Sequence, residues 1–206
     1  MKHIDCLIER LPELSPLRAT MEATVEALIA CYHRGGKVLL CGNGGSAADC
    51  EHIAGELLKG FLSRRTPTDG ELAALTPALG EEARLLQRGI PAVALTAMSG
   101  IATAFANDVS PALVFAQQVF ALGKAGDVVL GLSTSGNSAN VVRALATARA
   151  MGLTTVAMTG EGGGACREVA TLLLNVPATE TYRVQEYHLP VYHAICAELE
   201  ETLFGM

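Results

Sequence analysis

The sequence predicts an α/β fold, a three-layer α-β-α sandwich around a five-stranded parallel sheet with an extra helix at the N-terminus. Three observations predict it. Short apolar runs recur at residues 37–41, 91–96, 127–132, 154–159 and 172–176, separated mostly by segments of helical periodicity. That alternation places parallel strands in one layer and helices on both of its faces. The run at 127–132 is apolar nearly throughout and rich in β-branched residues, as a strand covered on both faces is. Half of the 206 residues are hydrophobic but only 4% are aromatic, with no Trp. The core must therefore be aliphatic and alanine-rich, and the length suits one domain over residues 1–206.

The elements follow in order. Across residues 4–34, Leu7, Leu11, Leu14, Met21, Val25, Leu28 and Cys31 recur at spacings of three, four and seven, which predicts helix with a break at Pro16. Lying outside the α/β repeat, this helix needs an apolar surface, supplied either by a partner subunit or by its own sheet. The strand at 37–41 leads into the loop Gly42-Asn43-Gly44-Gly45-Ser46 and a helix over 47–61. Residues 62–89 are a more polar excursion in which Leu75, Leu79, Ala83 and Leu86 predict a short amphipathic helix, so this is a partly helical insertion rather than a second domain. The strand at 127–132 leads into Ser133-Thr134-Ser135-Gly136-Asn137-Ser138. After it, Val141, Val142, Leu145 and Ala148 mark a helix with Ser138 at its N-cap.

The loop at 133–138 suits an anion. A helix start offers unpaired N–H groups and the positive end of a dipole, Gly136 admits close approach, and the hydroxyls can turn inward. Capping alone would account for one or two hydroxyls, not four. The Gly/Asn loop at 42–46 is a second unit of the same kind, and in open parallel sheets ligands sit beyond the carboxyl ends of strands. Neither loop is followed by Lys-Ser or Lys-Thr and neither reads GxGxxG, so a small phosphoester fits better than a nucleotide.

Composition narrows the function further. A formal charge of −6 gives no electrostatic reason for a nucleic-acid or membrane partner. No apolar run approaches about 20 residues, and the start Met1-Lys2-His3-Ile4-Asp5 lacks a signal peptide's apolar stretch, so the expected location is cytoplasmic. The six cysteines, at 6, 31, 41, 50, 166 and 196, form no CxxC pair and read as small reduced core residues. On the helix at 47–61, His52 and Glu56 share a face at i, i+4. This is either a surface pair or part of a metal site.

Taken together, Cys41-Gly-Asn-Gly-Gly-Ser-Ala-Ala-Asp49, Glu51-His-Ile-Ala-Gly-Glu56, Ala106-Asn-Asp108, Gly131-Leu-Ser-Thr-Ser-Gly-Asn-Ser138 and Val184-Gln-Glu-Tyr-His188 with His193 resemble the sugar isomerase (SIS) family and, within it, the phosphoheptose isomerases. The resemblance runs from about residue 20 to the C-terminus. It implies a flavodoxin-like SIS fold, a homotetramer with sites at subunit interfaces, and conversion of sedoheptulose 7-phosphate to D-glycero-D-manno-heptose 7-phosphate. By the same resemblance His52, Glu56, Gln185 and His193 would hold one zinc, or another divalent ion, per subunit, with Glu56 and His193 as the acid–base pair. Asn43, Gly44, Gly45, Ser46, Glu56, Asn107, Asp108, Ser133, Thr134, Ser135, Ser138 and Gln185 would contact the sugar phosphate.

Those residue types suit a ketose–aldose exchange, which needs a base at carbon and an acid at oxygen. One geometric difficulty accompanies the ligand set. Gln185 and His193 are eight residues apart, about 12 Å on a continuous helix, so either Gln185 precedes the regular helix, with Pro190 in its first turn, or the ligands come from different subunits. The chain also departs from the family pattern. The insertion at 62–89 is longer than usual, and Lys59-Gly60 stands where the family has an arginine near position 60. Two rival readings follow: a non-catalytic SIS protein that senses a sugar phosphate or binds a partner such as the replication initiator, and an isomerase or epimerase of another phosphosugar.

Overall fold

The structure is a computed structural model that describes residues 1–205. Strands β1 (Val38–Cys41), β2 (Ala92–Ala94), β3 (Val128–Ser133), β4 (Thr154–Thr159) and β5 (Leu172–Asn175) form one parallel sheet in the order β2-β1-β3-β4-β5. All five predicted strands are present. β2 is shorter than expected because Leu95–Ala97 winds into a 3-10 turn. The helices are α1 (Lys2–Arg10), α2 (Arg18–His33), α3 (Gly45–Leu58), α4 (Asp69–Leu79), α5 (Ser99–Asp108), α6 (Val114–Leu122), α7 (Ala139–Ala150), α8 (Cys166–Val169) and α9 (Thr181–Phe204).

Strand side chains alternate between faces, and the core divides accordingly. Val38, Leu40, Val128, Leu130 and Leu132 pack with α1, α2, α3 and α9, whereas Leu39, Cys41 and Val129 pack with α6 and α7. This is the three-layer sandwich expected. The strand order reverses between β1 and β3, and the crevice beyond their carboxyl ends is where such sheets bind ligands.

The N-terminal break is wider than one proline, since Pro12–Leu17 forms a 3-10 segment between α1 and α2. The apolar face of this region is buried within its own chain, with Ile4, Leu7, Leu14, Met21, Val25 and Leu28 in the α9-side core. Glu198 on α9 accepts from the backbone N–H groups of His3 (2.6 Å) and Ile4 (3.1 Å), supplying an anion to the free first turn of α1. All six cysteines are free and only Cys6 is exposed. Burial, with Cys166 nearby, pushes the Cys41 thiol up to about 12.

The insertion is helical where expected but packs differently. A capping box between Thr68 and Glu71 starts α4, yet no residue of α4 is buried, and Leu79 and Leu86 lie exposed while Ala83 is covered. Its base is pinched shut, with the Arg88 N–H donating to the Arg65 carbonyl at 2.7 Å and the Ile90 N–H to the Leu57 carbonyl at 2.8 Å. There Arg65 and Glu200 form a fully buried ion pair, Nε to Oε1 at 2.7 Å. Arg65 also donates to the carbonyls of Leu57 (2.7 Å) and Glu56 (2.9 Å), the free carbonyls at the end of α3. Glu200 accepts from the N–H groups of Phe61, Leu62 and Ser63.

Two sequence expectations are corrected here. The helix expected at 47–61 is α3, which begins two residues earlier and ends at Leu58, because Glu200 gathers the N–H groups of residues 61–63 away from helical partners. Gln185 does not precede the regular helix: α9 starts at Thr181 and runs through Pro190. Gln185 and His193 therefore stand on one helix, about 12 Å apart along its axis.

Candidate active site

The loop after β3 is tied to itself and to its neighbour. Ser133 Oγ donates to Ser138 Oγ at 2.9 Å and accepts from the Ser138 N–H at 3.3 Å, while Ser135 Oγ accepts from the Asn137 N–H at 3.2 Å. Ser138 occupies the N-cap position of α7, but its side chain makes no cap hydrogen bond. Ser133 is buried, Thr134 half-buried and Ser135 exposed. The glycine-rich loop after β4 buttresses this turn through Gly160 N–H to the Thr134 carbonyl and Cys166 N–H to the Gly136 carbonyl, both at 2.9 Å. Gly136 has φ +70°, and a Cβ there would collide with the Gly163 carbonyl, so only glycine fits.

The loop after β1 lies across the switch crevice. Asn43, Gly44 and Gly45 are exposed, while Ser46 is buried in the first turn of α3. Asn43 and Asn140 exchange two amide hydrogen bonds, Nδ2 of each donating to Oδ1 of the other at 2.9 and 2.8 Å. This reciprocal pair clasps the first loop to the start of α7, directly after the second. Asn140 escaped the sequence reading because its partner lies 97 residues away and nothing local marks it. A Cβ on Gly45 would collide with the Gln185 amide, so Gln185 belongs to the rim of this first loop. Asn107 donates to Asp108 Oδ1 at 2.8 Å at the exposed end of α5, and among the described residues no hydrogen bond ties either to the two loops.

Farther along, α3 and α9 run side by side and bring three candidates together. His52 Nε2 lies 3.2 Å from Glu56 Oε1, and the His52 and His193 rings meet edge to face with centroids 5.0 Å apart. Lys59 Nζ reaches Glu56 Oε2 at 3.1 Å, and Phe61 packs on the other side of His193 at 5.3 Å. Burial, followed by the His52 charge, pushes the His193 pKa below the ordinary imidazole range. His193 also lines a cavity of about 230 Å³ with Arg10, Phe61 and Leu62. A larger cavity of about 500 Å³, lined by Glu161, Glu180, Arg183 and Glu186, holds none of the candidate residues.

The donor set suits a divalent ion in kind. Two imidazoles and a carboxylate adjoin, and His193 Nε2 is buried without a hydrogen-bond partner. Among the described residues no three His, Cys, Asp or Glu side chains already stand at coordinating spacing, and Gln185 is two turns away on α9.

Two further residues hold His52. The Tyr192 hydroxyl lies 2.9 Å from His52 Nδ1 and donates to Asp49 Oδ1 at 3.2 Å. Tyr192 is almost wholly buried, and burial followed by the Asp49 charge raises its phenol pKa.

The SIS domain family model matches residues 3–89 and 74–160. The phosphoheptose isomerase of Burkholderia pseudomallei (strain 1710b) is 43% identical over 189 residues, spanning 92% of this chain and 85% of the relative. The structure is similar to phosphoheptose isomerase from Neisseria gonorrhoeae, with a TM-score of 0.74 and 36% identity over 96% of each chain. It is also similar to one from Francisella tularensis, with a TM-score of 0.75 and 27% identity over 97% of this chain and 95% of that one. Similarity that runs nearly the length of the chain, in sequence as in fold, makes this protein a member of the SIS domain family, in the branch of the phosphoheptose isomerases.

Proposed function

We propose that this enzyme interconverts sedoheptulose 7-phosphate and D-glycero-D-manno-heptose 7-phosphate through a cis-enediol. The observation that carries the reading is the pair of polar loops at the β1/β3 switch point, the first clasped to the start of α7, in a chain 43% identical to a phosphoheptose isomerase. The loop at 133–138 takes the phosphate on its hydroxyls and the N–H groups at the start of α7. Asn43, Gly44 and Gly45 take sugar hydroxyls, with Gln185 beside them.

In the ketose-to-aldose direction, Glu56 removes a proton from C1 while His193 protonates the carbonyl oxygen on C2, giving the enediol. In the second half His193 takes the O1 proton and Glu56 returns its proton to C2. His52, Glu56 and His193 would hold zinc or a similar ion, which when bound supplies Lewis-acid stabilisation of charge on the substrate oxygens.

A homotetramer with sites between subunits accompanies this reading. Two observations support it: Gln185 and His193 are too far apart on α9 to meet at one point, and α5 buries none of its residues while Phe120 on α6 stands 67% exposed. A cytoplasmic location is part of the same reading; among the described residues no helix is long and apolar enough to cross a membrane.

The test is turnover of C5 to C7 ketose phosphates, with metal content measured on the same preparation. Wild type should isomerise the heptulose phosphate, and Glu56→Gln should lose about 10²–10⁴-fold in kcat. Failure of wild type to turn over any ketose phosphate would defeat the reading.

A further inference from the structure

We propose that Tyr192 and Asp49 form a relay that keeps His52 in its Nδ1–H tautomer and so turns a bare Nε2 lone pair toward Glu56 and His193. Tyr192 has one hydroxyl proton, and it goes to Asp49 Oδ1. At 2.9 Å from His52 Nδ1, the phenol oxygen can then only accept, so Nδ1 must carry the imidazole proton. A neutral His52 thereby presents an unprotonated Nε2 to Glu56 Oε1 3.2 Å away. Two acceptors face each other there, with the His193 ring packed edge to face on His52. Such a convergence of lone pairs is satisfied by a cation, and metal-binding histidines characteristically donate their other N–H to an outer partner.

The inference rests on the metal reading above, and it makes Tyr192 and Asp49 positioning residues. Tyr192 sits between Val191 and His193 on α9, so the helix that carries one imidazole also orients the other.

The experiment separates the two readings. In metal-free protein at pH 8, imidazole ¹⁵N spectra, assigned with His52→Asn, should show His52 protonated on Nδ1. Tyr192→Phe keeps the ring packing and removes the acceptor, and Asp49→Ala frees the phenol proton to turn to Nδ1. Both should move the His52 proton toward Nε2. Zinc alone, titrated against a chromophoric chelator, should bind about 10–100-fold more weakly to both variants. An Nε2–H tautomer in wild type, or a shifted tautomer with unchanged zinc affinity, would overturn the relay. Wild type that keeps the Nδ1–H tautomer and binds no zinc overturns the metal reading and, with it, the relay's positioning role. Circular dichroism and thermal melts verify that both variants fold.

Discussion

Glu200→Gln is the most demanding test of how the candidate site is held. The Glu200 carboxylate accepts four hydrogen bonds, from the N–H groups of Phe61, Leu62 and Ser63 and from Arg65 Nε, at 2.6–3.0 Å. Oε1 takes Phe61 and Arg65, and Oε2 takes Leu62 and Ser63. A glutamine amide has one oxygen, so whichever way it turns its NH₂ faces two donors. Two buried donors left without acceptors cost about 1–3 kcal/mol each, and Arg65, fully buried, loses its counter-charge. The sum agrees with the roughly 3–5 kcal/mol of a broken buried pair. At about 2–4 °C per kcal/mol for a chain of this size, the melting temperature should fall by about 6–20 °C. Urea unfolding and calorimetry measure it. Arg65→Met/Glu200→Leu should remain destabilised, because the three N–H groups still lack an acceptor. A loss under about 1 kcal/mol for Glu200→Gln would refute the reasoning.

Three further outcomes are expected. Burial pushes the His188 pKa down to about 4, so the native state binds fewer protons than the unfolded chain between that value and the free imidazole's. Stability should therefore fall as pH drops from about 6.5 to 4, by about 3 kcal/mol at roughly 1.4 kcal/mol per pH unit; urea midpoints for His188→Leu should lack that slope, and a matching slope would disprove the assignment. Asn140→Ala removes both amide bonds to Asn43, about 1 kcal/mol each, and should lower the melting temperature by about 4–8 °C together with kcat/KM. Adding Asn43→Ala to Asn140→Ala should cost no further stability if the pair acts as one unit, and additive losses in melting temperature would refute it. Ser135→Ala and Ser138→Ala should each weaken inhibition by a non-reacting phosphate ester while the fold persists, and unchanged inhibition in both would remove the anion from that loop.

What was legible in the sequence was local. The five strands announced themselves as apolar runs, and the polar loops after β1 and β3 sit at strand ends where their residue types implied. The insertion's helix was legible from its leucines, but their exposure was not, because periodicity says which face is apolar and not whether anything covers it. The contacts that assemble the candidate site join distant segments. Arg65 meets Glu200 135 residues on, Asn43 meets Asn140 97 on, and Tyr192 meets Asp49 143 back. Pro190 misled the placement of Gln185, since a proline that ends most helices is here accommodated within α9.

The pinched base of the insertion has a consequence for how this chain tolerates change. Since the backbones of Arg65 and Arg88 already touch through a 2.7 Å hydrogen bond, the intervening residues form a closed bight whose length the sheet does not sense. Ring-closure entropy grows only logarithmically with length, so this bight can be shortened, enlarged or exchanged for foreign sequence at small thermodynamic cost. Such a graft would be felt near Glu56 through the Lys59-Gly60 turn, whose Gly60 N–H donates to Gln87, and through Arg65, which donates to the Glu56 carbonyl. The segment can thus change while the scaffold stays the same.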